Sequence, residues 1–184
     1  AEQRQLIDAL NGNYSIPEQI ALPTYDKAVA TRAASGKAIQ ALAAAIPNLI
    51  GGSADLAPSN KTWIDNANAI SANDFSGRNI HFGVRELAMA AIQNGILAYG
   101  GFYAFSATFF VFADYVRPAM RVAAISKLPA IYLFSHDSFY VGEDGATHEP
   151  IEQLSSLRAM PNTVVIRPAD PTETAQAWLA ALRN

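Results

Sequence analysis

The sequence predicts an α/β fold, a three-layer α/β/α arrangement around a mostly parallel central sheet. Three observations carry that expectation. Apolar runs such as "NLIGGSADL", "RNIHF", "FYAFSA", "AIYLFS" and "TVVIRP" alternate with stretches of helical spacing along most of the chain. "AIYLFS" has hardly any polar face, as a strand buried on both sides of a parallel sheet would read. Polar residues gather around the ends of the runs, namely Asp55, Ser59, Glu86, His136, Asp144 and His148. Such sheets bind ligands at the carboxyl ends of their strands.

The elements follow in order. Residues 1–24 hold "NGNYSIPEQIALP", with turn formers and two prolines, and read as an arm or linker into a domain that spans 25–184. Helical patterning starts near Lys27, runs through "SGKAIQALAAAI" and ends before Pro47. A buried strand follows, broken by Gly51-Gly52, and then a polar loop as far as Asn79. "RNIHF" is the second strand, and residues 84–99 form an Ala-rich helix stopped by Gly100-Gly101. "FYAFSA" is a third strand, and residues 108–126 return to helical spacing. After "AIYLFS" comes a Gly-rich polar loop, "HDSFYVGEDGATHEP". "TVVIRP" is the last strand, and Pro171 begins the last helix.

Composition narrows the function. The 184 residues are enough for one domain with a substantial core, and the net charge of −3 with no basic cluster argues against nucleic acid or an anionic membrane as partner. No apolar run approaches the roughly 18 residues of a membrane span. The absence of cysteine excludes disulfides and Cys-metal sites, and is compatible with a cytoplasmic location. The chain starts without Met and stops inside "AWLAALRN", so a piece of a longer polypeptide is expected.

Each candidate residue has an ordinary reading beside a chemical one. Glu86, three residues after Gly83, suits the first turn of a helix, where the dipole favours an acid. Its chemical reading is a carboxyl in a low-dielectric niche with a proton to share. Phe109, Phe112 and Tyr115 recur every three residues and so share one helical flank. They are either core or a flat apolar slot for a ring. His136 and His148 lie in one strand-end loop with Asp144 between them. No HxH or HExxH spacing favours metal, and neutral imidazoles suit proton transfer to sugar-like hydroxyls. Arg32 and Ser59 are ordinary surface residues singly, but an Arg and a hydroxyl beside the Gly-rich "GGSADLAPSN" make a plausible phosphate clamp.

Taken together, "ATR", "GGSADLAPSN", "HFGVRELAMAA", "TFFVFADYVRPAMR", "SHDSFYVGEDGATHEPIEQLSSLR" and "RPAD" resemble the pyrimidine-binding domain of the transketolase family, over residues 26–184. The resemblance implies the thiamine diphosphate-binding fold and transfer of a two-carbon ketol unit from a ketose phosphate to an aldose phosphate in the pentose phosphate pathway. It gives Glu86 the hydrogen bond to N1′ of the cofactor's aminopyrimidine, which favours the 4′-imino form. Phe109, Phe112 and Tyr115 become the aromatic wall around that ring, and Asp55 a neighbour of the thiazolium and substrate. His136, Asp144 and His148 become contacts to substrate hydroxyls, with the two histidines as proton-transfer groups. Arg32, Ser59 and His136 become contacts to the substrate phosphate.

Departures matter equally. The family holds diphosphate and Mg2+ or Ca2+ through a GDG motif in an N-terminal domain; here "EDG" at 143–145 belongs to the substrate loop. The family's C-terminal domain is also missing. Its complete site forms between the diphosphate domain of one subunit and the pyrimidine domain of another, so this chain is expected to carry half a site, to lack activity alone, and to dimerise or self-associate. Ser106-Ala107 and Phe139-Tyr140 also differ from many relatives. The alternatives are dihydroxyacetone synthase or deoxyxylulose-phosphate synthase, a non-catalytic dimerisation module of this fold, and a flavodoxin-like nucleotide binder. The last lacks a phosphate-binding glycine loop opening a helix.

Overall fold

In the computed structural model, which describes residues 2–11 and 16–184, four strands form one sheet. They are β1 (Leu49–Ser53), β2 (Asn79–His81), β3 (Tyr103–Phe109) and β4 (Ile131–Ser135), in the order β2-β1-β3-β4. Every pairing is parallel, with Ser53 opposite both His81 and Ala107 and Phe109 opposite Ser135. The four carboxyl ends therefore share one edge.

Helices cover both faces. On one side lie α2 (Thr31–Ala45) and α7 (Pro171–Arg183), following α1 (Glu2–Leu10). There Ile39, Leu42, Leu49, Phe105 and Trp178 are buried together, each such side chain stabilising the fold by about 1.5–3 kcal/mol. Trp178 meets the Phe105 ring edge-on, 5.4 Å between centroids, and its Nε1 donates to Ser35 Oγ at 2.8 Å. On the other side α4 (Glu86–Tyr99), α5 (Ala113–Ser126) and α6 (Gln153–Arg158) enclose Met89, Phe110, Val116 and Leu157. No helix among the described residues is long and apolar enough to cross a membrane.

Several predicted elements shift. Residues expected to belong to an arm include the helix α1, while residues 12–15 of "NGNYSIPEQIALP" lie outside the described residues. The first domain helix begins at Thr31 rather than Lys27. Gly51-Gly52 do not break β1: a β-carbon at Gly51 would stand 2.5 Å from the Phe105 ring, and one at Gly52 2.0 Å from the Ile80 carbonyl oxygen. Close packing, not a bend, requires them. The loop to Asn79 contains the short α3 (Ala57–Asn60). Thr108 and Phe109 finish β3 instead of starting a helix, and a 3-10 turn at Phe110–Phe112 leads into α5. Gly100 and Gly101, at φ 89° and 90°, do end α4. At α7 the cap is reciprocal: Asp170 accepts from the Glu173 amide and Glu173 from the Ala169 amide, both at 2.8 Å, with Pro171 in the first turn.

"TVVIRP" is the clearest miss. Residues 163–168 form no ladder, and Val164 is 68% exposed. β-branched composition favours a strand only where a partner edge and a covering layer exist. Consequently β4 is an edge strand and is only half-buried along most of its length, not buried on both faces.

Candidate active site

The polar residues singled out above sit on the edge where the strands end. Asp55 follows β1 at φ 60° and His136 follows β4 at φ 54°. Both occupy the left-handed region, which disfavours a side chain by about 1–2 kcal/mol and so marks positions held by their surroundings. Glu86 opens α4, and a tight turn at Gly83 (φ 70°) brings the chain there from β2.

One cleft of about 500 Å³ is lined by Ala54, Asp55, Leu56, Val84, Glu86, Phe112 and Tyr115. Phe112 stacks on Tyr115 with centroids 6.0 Å apart, and Phe109 on Phe112 at 6.3 Å with planes 11° apart. The three rings make a continuous wall although Phe109 belongs to the strand, because the 3-10 turn preserves the three-residue step. The dry niche expected for Glu86 is absent. Glu86 is only partly buried, beside Val84 at 74% exposure and Leu87 at 51%, since α4 turns an apolar face outward with nothing over it.

The wall continues into the histidines. His136 stacks on Phe109 at 3.8 Å, and His148 lies edge-on to Phe112 at 5.3 Å and to Phe109 at 6.3 Å. Arg32, in the first turn of α2, donates from Nη1 to His136 Nε2 at 3.3 Å. Burial, then the Arg32 charge, holds the His136 imidazole below its ordinary range; Asp144 opposes this and His148 adds to it. Asp144 thus reaches His136 through its field, from an exposed position in the loop. Ser59 stands next to Asn60 on α3, and its hydroxyl bonds to neither Arg32 nor His136.

Residues that the sequence reading passed over lie underneath. Ser135 donates to Asn60 Oδ1 at 2.5 Å and also contacts His136 Nδ1 at 2.8 Å, while Asn60 Nδ2 donates to Ser53 Oγ at 3.0 Å. Asn60 and Ser135 appear in the quoted motifs only as polar letters after strands, and no spacing pairs them. Ser106, one of the departures, donates to Gln93 Oε1, and Gln93 Nε2 in turn bridges the Ala104 and Ile131 carbonyls at 3.1 and 2.9 Å. That serine ties the sheet to α4. Among the described residues no group of three or more His, Asp or Glu side chains is placed to hold a metal ion.

A parallel sheet with an aromatic and carboxylate cleft at its strand ends defines an α/β domain with a candidate ligand site where such sheets carry theirs. Residues 27–184 match the family described as transketolase, pyrimidine binding domain, and the chain belongs to it. It is 58% identical over 164 residues to the transketolase of Halalkalibacterium halodurans, covering 88% of this chain and 25% of that one. The solved transketolase from Leishmania mexicana superposes with a TM-score of 0.94 at 48% identity, over 98% of this chain and 27% of that one. A transketolase from Pichia stipitis in complex with sedoheptulose 7-phosphate gives a TM-score of 0.92 at 42% identity, over 98% and 28%. The chain thus spans about a quarter of the length of the relatives it matches.

Proposed function

We propose that residues 25–184 serve as the pyrimidine half of a transketolase active site, with residues 1–24 as the arm leading into it. The convergence of Asp55, Glu86, Phe112 and Tyr115 on one cleft carries this reading. When bound, thiamine diphosphate supplies the electron sink for ketol transfer between sugar phosphates. The residues present fit its aminopyrimidine: stacked rings offer a flat apolar surface, and Glu86 is the carboxyl beside them. Glu86 holds the proton at ring nitrogen N1′, and Phe109, Phe112 and Tyr115 orient the ring. Asp55 lines the side nearest the substrate.

Arg32, His136 and Ser59 take the phosphate end of the sugar, and Asp144, His136 and His148 its hydroxyls; the histidines exchange protons there. The sedoheptulose 7-phosphate of the Pichia stipitis enzyme is a ligand of that chemistry. The diphosphate and a divalent cation, Mg2+ or Ca2+, belong on this reading to the N-terminal domain of a second subunit. The exposed apolar face of α4 supports subunit association. A cytoplasmic location and inactivity of the chain alone go with the same reading.

Calorimetric titration of thiamine diphosphate with Mg2+ tests it. We expect no heat with this chain alone, and binding when the chain is joined to the diphosphate-binding domain of a relative. Glu86→Ala should weaken that binding about tenfold or more, the loss of one charge-assisted hydrogen bond. Tight binding to the 184-residue chain by itself would overturn the half-site assignment.

A further inference from the structure

A single file of hydrogen bonds runs from Arg32 into the sheet. Its direction is set at the outer end, because a guanidinium can only donate. Nε2 of His136 therefore accepts from Arg32 Nη1 at 3.3 Å, and the proton of the neutral ring sits on Nδ1. Nδ1–H donates to Ser135 Oγ at 2.8 Å, and the Ser135 hydroxyl donates to Asn60 Oδ1 at 2.5 Å. Asn60 Nδ2 donates to Ser53 Oγ at 3.0 Å, and the Ser53 hydroxyl lies 2.8 Å from Thr62 Oγ1. Asn60, 1% exposed, is the pivot: its amide offers an oxygen to one neighbour and an N–H to the other, which no hydroxyl or carboxylate does in a fixed direction. Aligned bonds of this kind reinforce one another in a buried setting.

We propose that Asn60 is a positioning residue for His136: acting through Ser135, it holds the imidazole as the Nδ1–H tautomer with the Nε2 lone pair turned to Arg32. The functional meaning rests on the reading of Arg32 and His136 as phosphate contacts. In this tautomer Nε2 has no proton to give a phosphate oxygen. His136 joins such a contact only by taking up a proton, while Arg32 swings to the anion. The charged and titratable groups facing the ring are Arg32 from α2 and Asp144 and His148 from the loop after β4. Were Asn60 absent, the Ser135 hydroxyl would be free to donate to Nδ1, and the Nε2–H tautomer would become available without uptake as soon as the exposed Arg32 contact opens.

Long-range 15N–1H correlation spectra of the labelled chain, taken above the ordinary imidazole range, read the tautomer directly and need no ligand. We expect a pyrrole-type Nδ1 and a pyridine-type Nε2 for His136. In Asn60→Ala and in Ser135→Ala the Nε2 signal should shift toward the pyrrole type, and Ser135→Thr should keep the parent pattern. A parent chain that shows Nε2–H overturns the proposal. So does an unchanged tautomer in either variant that retains a dispersed amide spectrum, since a merely structural Asn60 would alter stability alone. If Asn60→Ala fails to fold, Ser135→Ala decides. Addition of inorganic phosphate tests the other reading separately: silence at Arg32 and His136 removes the phosphate assignment and leaves the tautomer lock in place.

Discussion

At His136 a left-handed backbone, a buried relay and an arginine meet in one side chain. Its lowered pKa makes a signed prediction. Unfolded, the ring ionises near its ordinary value of 6.5; folded, it ionises below that, mainly through burial and then through Arg32. Above 6.5 both states are neutral and the contribution to stability is whole. As pH falls from there toward the folded value, the unfolded chain binds the proton first and stability declines. Urea midpoints should therefore drop on acidification across that window, and less steeply in His136→Phe, which keeps a ring over Phe109. Equal slopes would remove His136 from the account. A second prediction concerns Gly51, whose missing β-carbon leaves room for Phe105. Gly51→Ala should destabilise the chain by about 1–3 kcal/mol, read as a lowered urea midpoint with unchanged slope.

Among the elements, α2 owes its end to a residue far along the chain. The Arg78 guanidinium donates to the carbonyls of Ala43 at 2.9 Å, Ile46 at 2.8 Å and Leu49 at 2.9 Å. It thereby closes the carboxyl end of the helix and the entry to β1, where partial negative charge collects. Arg78→Met keeps the aliphatic stem but removes three hydrogen bonds, with the Ile46 carbonyl keeping the Leu49 amide as donor, so a loss of about 2–3 kcal/mol is expected. Arg78→Lys should recover only part of it, because an ammonium lacks the planar fork. Full recovery by lysine, measured by chemical denaturation, would mean that charge alone matters there. The same element logic explains "TVVIRP": Arg167 pins it to Asp137 at 2.6 Å, yet it stays unpaired for want of a ladder partner.

For the whole molecule, the outward face of α4 is the feature that intramolecular packing leaves unexplained. Leu87, Ile92 and Tyr99 are all exposed, as is Val84 just before the helix, and beside Gly95 there is open space for a close approach. An apolar stripe of this length at helical spacing favours association with another surface. Sedimentation should show self-association of the chain, reduced in Leu87→Glu and Ile92→Glu. Both side chains are about half exposed, so their replacement should leave the thermal midpoint within a few degrees. Association that survives both variants would place the contact on a different face.

The sequence by itself determined the layered α/β class, α4 to within two residues, the end of α5 and the start of α7, and the placing of Asp55, Glu86 and His136 after strands. Periodicity and turn chemistry are local, so they are written in neighbouring letters. Tertiary structure decided the rest. It alone shows that Gly51-Gly52 pass through an intact strand, because the reason is Phe105 and Ile80 alongside. It alone leaves "TVVIRP" unpaired and Glu86 partly open to solvent, because pairing and burial depend on which surfaces meet. The relay from Arg32 to Asn60 joins residues 32, 60, 135 and 136, and no spacing in the sequence encodes it. Hydrogen-bond direction is a property of atoms brought together by the fold, and there the tautomer of His136 is settled.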